Sequence, residues 1–209
     1  TWAYNMPTDG KYYRIVNKNT EKKGVVITEH TTGHGLTCQT PGDDTKFNQI
    51  WLYTNSGFKN AQTSRFIAPQ SKQSNQFTTQ TTVSSVEITD ASDDHALIKS
   101  SGYFHADGSN VVVNWYDTKN ESNHWDFEEV TVDATLLKAA QQEYKEIEKR
   151  ANEAMAIVNK ASTYEPLFME FFEDNACTKL KAEYEGMNDA DLKAALAAKG
   201  LPELLQDVA

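Results

Sequence analysis

Two short segments carry side chains that can bind metal ions, but neither has the full pattern of a metal site. In the first segment, EHTTGH, His30 and His34 lie four residues apart, next to Glu29. On a helix, histidines at that spacing share one face, as in several zinc sites. Here the two threonines and the glycine between them indicate a loop, and no third or fourth ligand follows. We therefore predict no metal site in this segment.

The second segment, DASDDH at residues 90–95, offers carboxylates at short intervals. It lacks the glycine and the terminal glutamate of an EF-hand calcium loop, so we interpret it as a solvated turn.

The chain also contains no G-x-S-x-G, phosphate-binding loop or H-E-x-x-H motif, which are the patterns of common nucleophilic, nucleotide and zinc chemistry. We predict that the chain is not an enzyme and uses no cofactor.

The elements that must position the remaining aromatic and polar residues change in character near Val132. Before it, short runs of β-branched and aromatic residues alternate with Gly, Asn, Asp and Ser, a pattern typical of strands and tight turns. After it, Ala, Leu, Glu and Lys dominate. The composition predicts an all-β domain at residues 10–131 and an α-helical bundle or linker domain at residues 132–209.

The second region is predicted to begin with a long amphipathic helix, with Asp133 as its N-cap. Its apolar residues recur at alternating steps of three and four, which places them in one stripe. They are Leu137, Ala140, Tyr144, Ile147, Ala151, Ala154 and Val158. Shorter helices are predicted around Pro166, at residues 188–200, and from Pro202 onward. Because the last helix has no stop signal, we expect the protein to continue beyond residue 209.

A repeat of about forty residues organises the first region. Trp51, Val86 and Trp125 each start an apolar-x-apolar strand, and they are spaced 35 and 39 residues apart. Strand-like segments recur at matching places around them: VVIT, RFIA and YFHA in one set, and GLTCQ, QFTTQ and VVVNW in another. Such units bury their apolar faces only together. We predict a β-trefoil, a six-stranded barrel capped by three hairpins, with both tryptophans and Val86 inside.

The segment NQIW, which contains Gln49 and Trp51, resembles the N-Q-x-W signature of ricin-type β-trefoil lectins. The third unit has a variant of it, with Asn123 at the glutamine position before Trp125, and the second unit has lost both residues. The resemblance covers residues 10–131. It implies that Gln49, Trp51 and Trp125 are structural, with Gln49 tying down a neighbouring loop. It also implies non-catalytic carbohydrate binding.

In that family, sugar contacts come from an acidic residue in a strand turn and from an aromatic residue about ten positions before the motif tryptophan. The first unit has Pro41 at the aromatic position and Glu29 as its acidic candidate. The second unit has Gln76 at the aromatic position. Neither unit is therefore expected to bind sugar in the manner of the family.

The third unit matches that pattern better. Trp115 lies ten residues before the motif tryptophan, and His105 and Asp107 lie near the acidic position. The resemblance implies that Trp115 stacks on the apolar face of a sugar ring, while polar groups bond to its hydroxyls. The polar candidates are His105, Asp107, Asn114, Asp117 and Asn123.

The residues leave a second interpretation of Trp115 open. Its ring could pack on a neighbouring hairpin while Tyr116 faces outward. The trefoil would then be a structural or protein-interaction module with a helical docking segment and no sugar binding. Trp115 exposed in a shallow cleft, with His105 or Asp107 within reach, would favour sugar binding. Trp115 buried under a hairpin, with an apolar patch on the helices instead, would favour the alternative.

Charge and cysteine content restrict the partners and the compartment. Thirty acidic residues against twenty basic ones give a net charge of −10, which argues against nucleic acid and anionic membranes as partners. No apolar run is long enough for membrane insertion. We expect glycans or glycoproteins as partners.

The chain has two cysteines. Cys38 and Cys177 could form a disulfide, but two buried free thiols are the favoured interpretation.

The richness in Thr, Asn, Ser and Gln resembles extracellular bacterial β-proteins and predicts a secreted or cell-surface protein whose signal peptide is not in this sequence. The segment at residues 171–196 is similar to helical segments between accessory and catalytic domains of large bacterial glycan- or glycoprotein-active proteins, M60-like metallopeptidases among them. This resemblance implies that the trefoil targets a covalently linked catalytic domain to glycans.

Overall fold

Twelve β-strands follow one another in three groups of four. The structure is a computed structural model that describes residues 4–163, with side chains described from residue 4 to residue 152. The first group is β1 (Tyr12–Asn17), β2 (Val26–Glu29), β3 (Leu36–Gln39) and β4 (Trp51–Thr54). The second is β5 (Gly57–Asn60), β6 (Phe66–Ile67), β7 (Thr79–Gln80) and β8 (Glu87–Asp90). The third is β9 (Ala96–Ser100), β10 (Gly102–Ala106), β11 (Val112–Asn114) and β12 (Trp125–Val130).

The first and fourth strands of each group form the barrel. β1 pairs antiparallel with β12 from Tyr12↔Val130 to Asn17↔Trp125, and it also pairs with β4. β4 continues to β5, while β12 continues to β9 and β8. β5 and β8 are connected outside the ladders, where the N–H of Val86 donates to the carbonyl of Ser56 at 2.8 Å.

The second and third strands of each group form three hairpins: β2–β3, β6–β7 and β10–β11. Isolated bridges connect each hairpin to the other two. These bridges are Gly35↔Thr78, Thr37↔Val111 and Gln76↔Val113. Three hairpins joined in this way on a barrel of antiparallel strands make a β-trefoil. The predicted fold class, an all-β trefoil followed by an α-helical region, is confirmed.

The two motif tryptophans anchor the core. Trp51 and Trp125 are fully buried, and each begins the fourth strand of its unit. The indole N–H of Trp51 donates to the Ile27 carbonyl and that of Trp125 to the Phe104 carbonyl, both at 3.0 Å. Because the polar atom of each ring is satisfied, the large apolar surface is buried without an unpaired donor. Val86 packs against the same core from a partly buried position.

The β4–β5 turn shows how local sequence builds a tight hairpin. Asn55 and Ser56 have φ values of 53° and 57°, and a two-residue type I′ turn requires positive φ at both positions. Gly57 follows, and a Cβ there would lie 2.0 Å from the Ser84 carbonyl oxygen. Glycine is therefore required where β5 passes the segment that leads into β8.

The predicted long helix is present as α1 (Ala134–Thr163). Asp133 is its N-cap, as predicted, because its Oδ1 accepts hydrogen bonds from the N–H groups of residues 135 and 136, both at 3.0 Å. Leu137 is buried against Phe47, Ile50, Ala61 and Val130. The start of the apolar stripe therefore packs on the trefoil.

The compact unit that contains the trefoil extends through Tyr144, and α1 continues within a second unit from Lys145 to the last described residue. The helices predicted around Pro166, at residues 188–200 and from Pro202 lie outside the described residues. The segment with similarity to linkers of M60-like metallopeptidases also lies outside them. Within the described part of the chain, no helix combines the length and apolarity needed to cross a bilayer.

Cys38 lies in β3 as a buried free thiol, as the favoured interpretation expected for it, whereas Cys177 falls outside the described residues. Burial raises the pKa of the Cys38 thiol to about 12. A thiol that stays protonated is a poor nucleophile, so Cys38 packs as a small apolar residue.

Candidate functional site

Three of the predicted site residues meet at the end of the third unit. His105 lies in β10, Trp115 directly follows β11, and Asn123 ends a short 3-10 turn (Glu121–Asn123) before β12. The Nδ1 atom of His105 lies 2.6 Å from the Oδ1 atom of Asn123, and the Nδ2 group of Asn123 donates to the Trp115 carbonyl at 3.3 Å. The His105 and Trp115 rings stack, with centroids 5.6 Å apart and planes 29° apart.

Asn123 occupies the position that Gln49 occupies in the first unit. Gln49 also ends a 3-10 turn (Phe47–Gln49), and its Nε2 group donates to Thr28 Oγ1 and to the Thr40 carbonyl, both at 3.1 Å. Its Oε1 atom accepts from the Gly42 N–H at 2.8 Å. Gln49 thus ties down the loop after β3, as expected, and Asn123 ties down the loop after β11.

His105 occupies the position of Thr28, since each is the residue that the motif amide reaches on the second strand. Asparagine is one methylene shorter than glutamine, and histidine is longer than threonine. The longer histidine side chain therefore reaches the shorter asparagine amide, which would not reach a threonine at that position. The variant motif of the third unit is a matched pair of changes and not a simple loss of the motif.

The Trp115 side chain is half-buried, and the backbone N–H of Trp115 donates to the Tyr103 carbonyl at 3.0 Å. The next residue, Tyr116, is 72% exposed, and its ring lies against Trp115 with centroids 5.3 Å apart. Among the Phe, Tyr and Trp side chains between residues 4 and 152, it is the one that is largely exposed to solvent. His105, Trp115 and Tyr116 therefore form an aromatic row with its outer end in solvent.

Sequence reasoning considered Tyr116 only as the outward partner of a buried Trp115. The structure combines the two alternatives, because Tyr116 is outward while Trp115 remains partly accessible. An exposed aromatic residue next to a turn is a weak signal in a sequence, since it becomes distinctive only when its neighbours are known to be covered.

Asp107 lies at the β10–β11 turn, two residues after His105. Its Oδ1 atom accepts from the N–H groups of Ser109 and Val111 at 2.8 and 2.9 Å, which shapes the turn. Lys22 Nζ, from the first unit, donates to the Asp107 carbonyl at 2.7 Å. The carboxylate Oδ2 atom bonds to none of the described residues, so it is available as an acceptor.

The charges around His105 oppose one another. Burial lowers the pKa of His105 below its ordinary value of 6.5. The hydrogen bond with Asn123 and the negative charges of Asp107 and Asp117 act in the opposite direction, while Lys22 adds to the lowering. Burial prevails, so the imidazole is neutral near neutral pH.

Of the two remaining predicted residues, Asn114 bonds away from this group, whereas the charge of Asp117 acts on His105. Asn114 is buried, and its Nδ2 group donates to the Gln70 carbonyl at 2.9 Å. It also packs directly on Gly102, where a Cβ would lie 1.9 Å from its Oδ1 atom. Asn114 therefore joins the second and third units, and its bonds leave it away from the aromatic row. Asp117 is half-buried, and its Oδ1 atom accepts from the Lys119 N–H at 2.8 Å.

His124 is a buried residue that sequence reasoning did not identify. Its Nδ1 atom lies 2.6 Å from Asp93 Oδ2, and its Nε2 atom lies 2.8 Å from the Thr118 carbonyl oxygen. It connects the β8–β9 turn to the loop that carries Tyr116 and Asp117. His124 therefore positions that loop.

The acidic candidate of the first unit, Glu29, is completely buried. Its carboxylate accepts from Thr63 Oγ1 at 2.8 Å and from Thr79 Oγ1 at 3.0 Å, and it lies 2.8 Å from His34 Nδ1. Arg65 Nε lies 3.9 Å away. Glu29 thus holds the first two hairpins together and offers no atom to a ligand.

His34 therefore pairs with a buried carboxylate. In the part of the chain that the structure describes, no group of three or more His, Cys, Asp or Glu side chains could hold a metal ion.

Comparisons with known proteins return related folds among solved structures. The BEL β-trefoil is 18% identical, with a TM-score of 0.49, and the match covers 62% of this chain and all of that one. The agglutinin of Rhizoctonia solani is 15% identical, with a TM-score of 0.48, over 60% of this chain and 99% of that one. The designed threefold-symmetric protein ThreeFoil is 11% identical, with a TM-score of 0.45, over 57% of this chain and 99% of that one. No protein-family model and no curated protein gives a significant match. The fold assignment itself rests on the strand pairing described above.

Proposed function

We propose that the third unit of the trefoil binds carbohydrate without catalysis. The observation that carries this proposal is the aromatic row of His105, Trp115 and Tyr116, whose outer end at Tyr116 is in solvent. The charge of the Asp107 carboxylate acts on the other end of the row, at His105. The first unit has threonines at the positions of His105 and Trp115, and its acidic residue is buried. In contrast to the first unit, the third unit therefore combines accessible rings with accessible acceptors.

The chemistry of a sugar ring suits this arrangement. A pyranose has an apolar C–H face that packs on an aromatic ring, and hydroxyls at its rim that need polar partners. Trp115 and Tyr116 offer the ring surface, and Asp107, Asp117 and the free edge of His105 offer the polar partners. We expect weak binding, since a shallow site of a few side chains buries only part of a ligand.

A weak site of this kind is most useful when it is attached to another activity. Binding through the trefoil would raise the local concentration of a covalently linked catalytic domain near its glycan or glycoprotein substrate. On this proposal the protein acts outside the cell or at the cell surface, where such glycans are displayed.

A glycan array tests the proposal, with the parent chain beside Trp115→Ala and Thr40→Ala. Thr40 is a matched control because the motif amide of the first unit holds its carbonyl just as Asn123 holds that of Trp115. We expect a defined set of glycans to bind the parent and Thr40→Ala, and to lose binding to Trp115→Ala. Binding that survives in Trp115→Ala would move the site elsewhere on the trefoil. No binding by a folded parent chain would reject the proposal and leave a protein-interaction module, with α1 as the docking element.

A further inference from the structure

We propose that Asn123 is a positioning residue that holds His105 as its neutral Nδ1–H tautomer, so that His105 Nε2 accepts a hydrogen bond from a hydroxyl of a neutral sugar. This inference rests on the proposed function, because it names a specific contact within the same site. It assigns a role to the one pair of side chains that distinguishes the motif of the third unit from that of the first.

The orientation of the Asn123 amide follows from its neighbours. The Trp115 carbonyl can only accept a hydrogen bond, so the group 3.3 Å from it must be the NH₂ group of Asn123. The amide oxygen then faces His105 Nδ1 at 2.6 Å. Asn123 is fully buried, so no water replaces either partner.

The tautomer of His105 follows from that orientation. An amide oxygen can only accept, so His105 Nδ1 must carry the proton. Since burial lowers the pKa of His105, the ring is neutral, and its second nitrogen has a free lone pair. Nε2 bonds to none of the described residues, and it is not one of the buried unpaired atoms. It therefore reaches solvent at the edge of the ring that stacks on Trp115.

The first unit shows that the loop can be held without a histidine. There the hydroxyl of Thr28 meets the motif amide at 3.1 Å. A threonine hydroxyl at that position is consumed by the structural contact, whereas an imidazole has a second nitrogen left for a ligand. The exchange of the Thr–Gln pair for a His–Asn pair keeps the structural contact and adds an acceptor beside the aromatic row.

The charge of His105 links this contact to pH. A ligand that covers the ring removes it further from water, which disfavours the imidazolium form. Binding of a neutral sugar should therefore weaken as the pH falls through the lowered pKa of His105. The charged groups that act on the ring are Asp107 and Asp117, which favour protonation, and Lys22, which opposes it.

The first experiment examines the free protein. Side-chain ¹⁵N NMR of the histidine-labelled chain reports the tautomer of each of the five histidines, and His105 is identified as the signal missing from the double variant His105→Thr/Asn123→Gln. We expect a protonated Nδ1 and a bare Nε2 near neutral pH. A proton on Nε2, or an imidazolium at that pH, would overturn the positioning role of Asn123.

The second experiment measures the affinity of a glycan identified on the array. The double variant recreates the Thr–Gln pair of the first unit, so it should fold like the parent but bind at least about tenfold more weakly, as expected when a site loses a hydrogen bond worth about 1.4 kcal/mol. In Asn123→Asp, a carboxylate beside the ring should raise the pH at which binding is lost by about one unit or more. If that pH did not shift, the protonation state of His105 would not control binding, and the inferred contact would be rejected.

These outcomes separate the two proposals. If Trp115→Ala loses binding but the double variant keeps it, the proposed function stands and the role of His105 is rejected. Affinity that rises as the pH falls would also reject it, since that result indicates an anionic ligand. If the folded parent binds no glycan, the proposed function fails, and the ligand contact inferred for His105 fails with it, whereas the tautomer result still decides the role of Asn123.

Discussion

The first and third units solve the same structural problem with different side chains. In both, a tryptophan begins the fourth strand and donates its indole N–H to a carbonyl of the second strand. In both, an amide two residues earlier holds the loop after the third strand: Gln49 in the first unit and Asn123 in the third. The shared contacts are those that the barrel and its cap need in order to close.

The two units differ in the residues that these shared hydrogen bonds reach. The first unit has Thr28 and Thr40 at the positions where the third has His105 and Trp115. Thr28 accepts through its hydroxyl and Thr40 through its backbone carbonyl, and neither adds ring surface. The imidazole of His105 and the indole of Trp115 add ring surface, and the imidazole adds a free nitrogen. A repeat can therefore keep its structural contacts and change its chemistry through the partners of those contacts.

The largest expected effect on stability comes from removing the buried tryptophans that the first and third units share. We expect Trp51→Ala and Trp125→Ala to lower the free energy of unfolding by about 3–5 kcal/mol each, because each leaves a large cavity and an unpaired carbonyl. Val86→Ala, at the matching place in the second unit, should cost only about 1 kcal/mol, since Val86 is partly buried. Urea denaturation measures all three. Equal costs for Trp125→Ala and Val86→Ala would contradict the equivalence of the first and third units.

The effects of His105→Thr and Asn123→Gln on stability should be strongly coupled. His105→Thr leaves the Asn123 oxygen buried without a partner, at a cost of about 1–3 kcal/mol. Asn123→Gln forces a longer side chain into a filled space, at a cost of about 1–3 kcal/mol. Combined, they recreate the arrangement of the first unit, so the double variant should lie within about 1 kcal/mol of the parent. A double-mutant cycle measures the coupling, and simple additivity would argue against the matched pair.

The pH dependence of stability should differ between parent and double variant. The pKa of His105 is lowered in the folded state, so the unfolded chain binds the proton more readily. The stability contributed by the neutral ring is complete above its ordinary pKa of 6.5 and is lost as the pH falls through the lowered value. From about pH 7 to pH 5, the parent should therefore lose more stability than the double variant, as measured by denaturation at each pH. Parallel curves would show that His105 makes no contribution.

The smallest effect on stability is expected for Tyr116→Ala. Since Tyr116 is 72% exposed, the free energy of unfolding should change by no more than about 0.5 kcal/mol. Loss of one aromatic contact should nevertheless weaken glycan binding about three- to tenfold. Pro41→Ala, which changes the residue after Thr40 in the first unit, is the matched control and should leave affinity unchanged. Unchanged binding by Tyr116→Ala would show that Tyr116 does not contact the glycan and would leave Trp115 and His105 as the proposed contacts.

Much of the fold could be predicted because its signals are local or periodic. The spacing of Trp51, Val86 and Trp125 indicated three units, and the composition of the turns indicated strands. The Asp133 cap and the apolar stripe that begins at Leu137 indicated the helix. Each of these signals depends on the backbone preferences of neighbouring residues or on a repeat that the chain carries in full.

The sequence by itself determined the threefold barrel and the helical region after it. It also predicted which motif residues are structural and in which unit accessible chemistry should be sought. Only the tertiary structure decided how that chemistry is arranged. The Asn114 side chain bonds to Gln70, 44 residues distant in the chain. The buried Glu29 carboxylate accepts from Thr63 and Thr79 of the second unit. The pairing of His105 with Asn123 and the exposure of Tyr116 were likewise decided there. The physical reason is that burial and hydrogen-bond partners depend on segments brought together by folding, and residue type alone does not specify which atoms remain free.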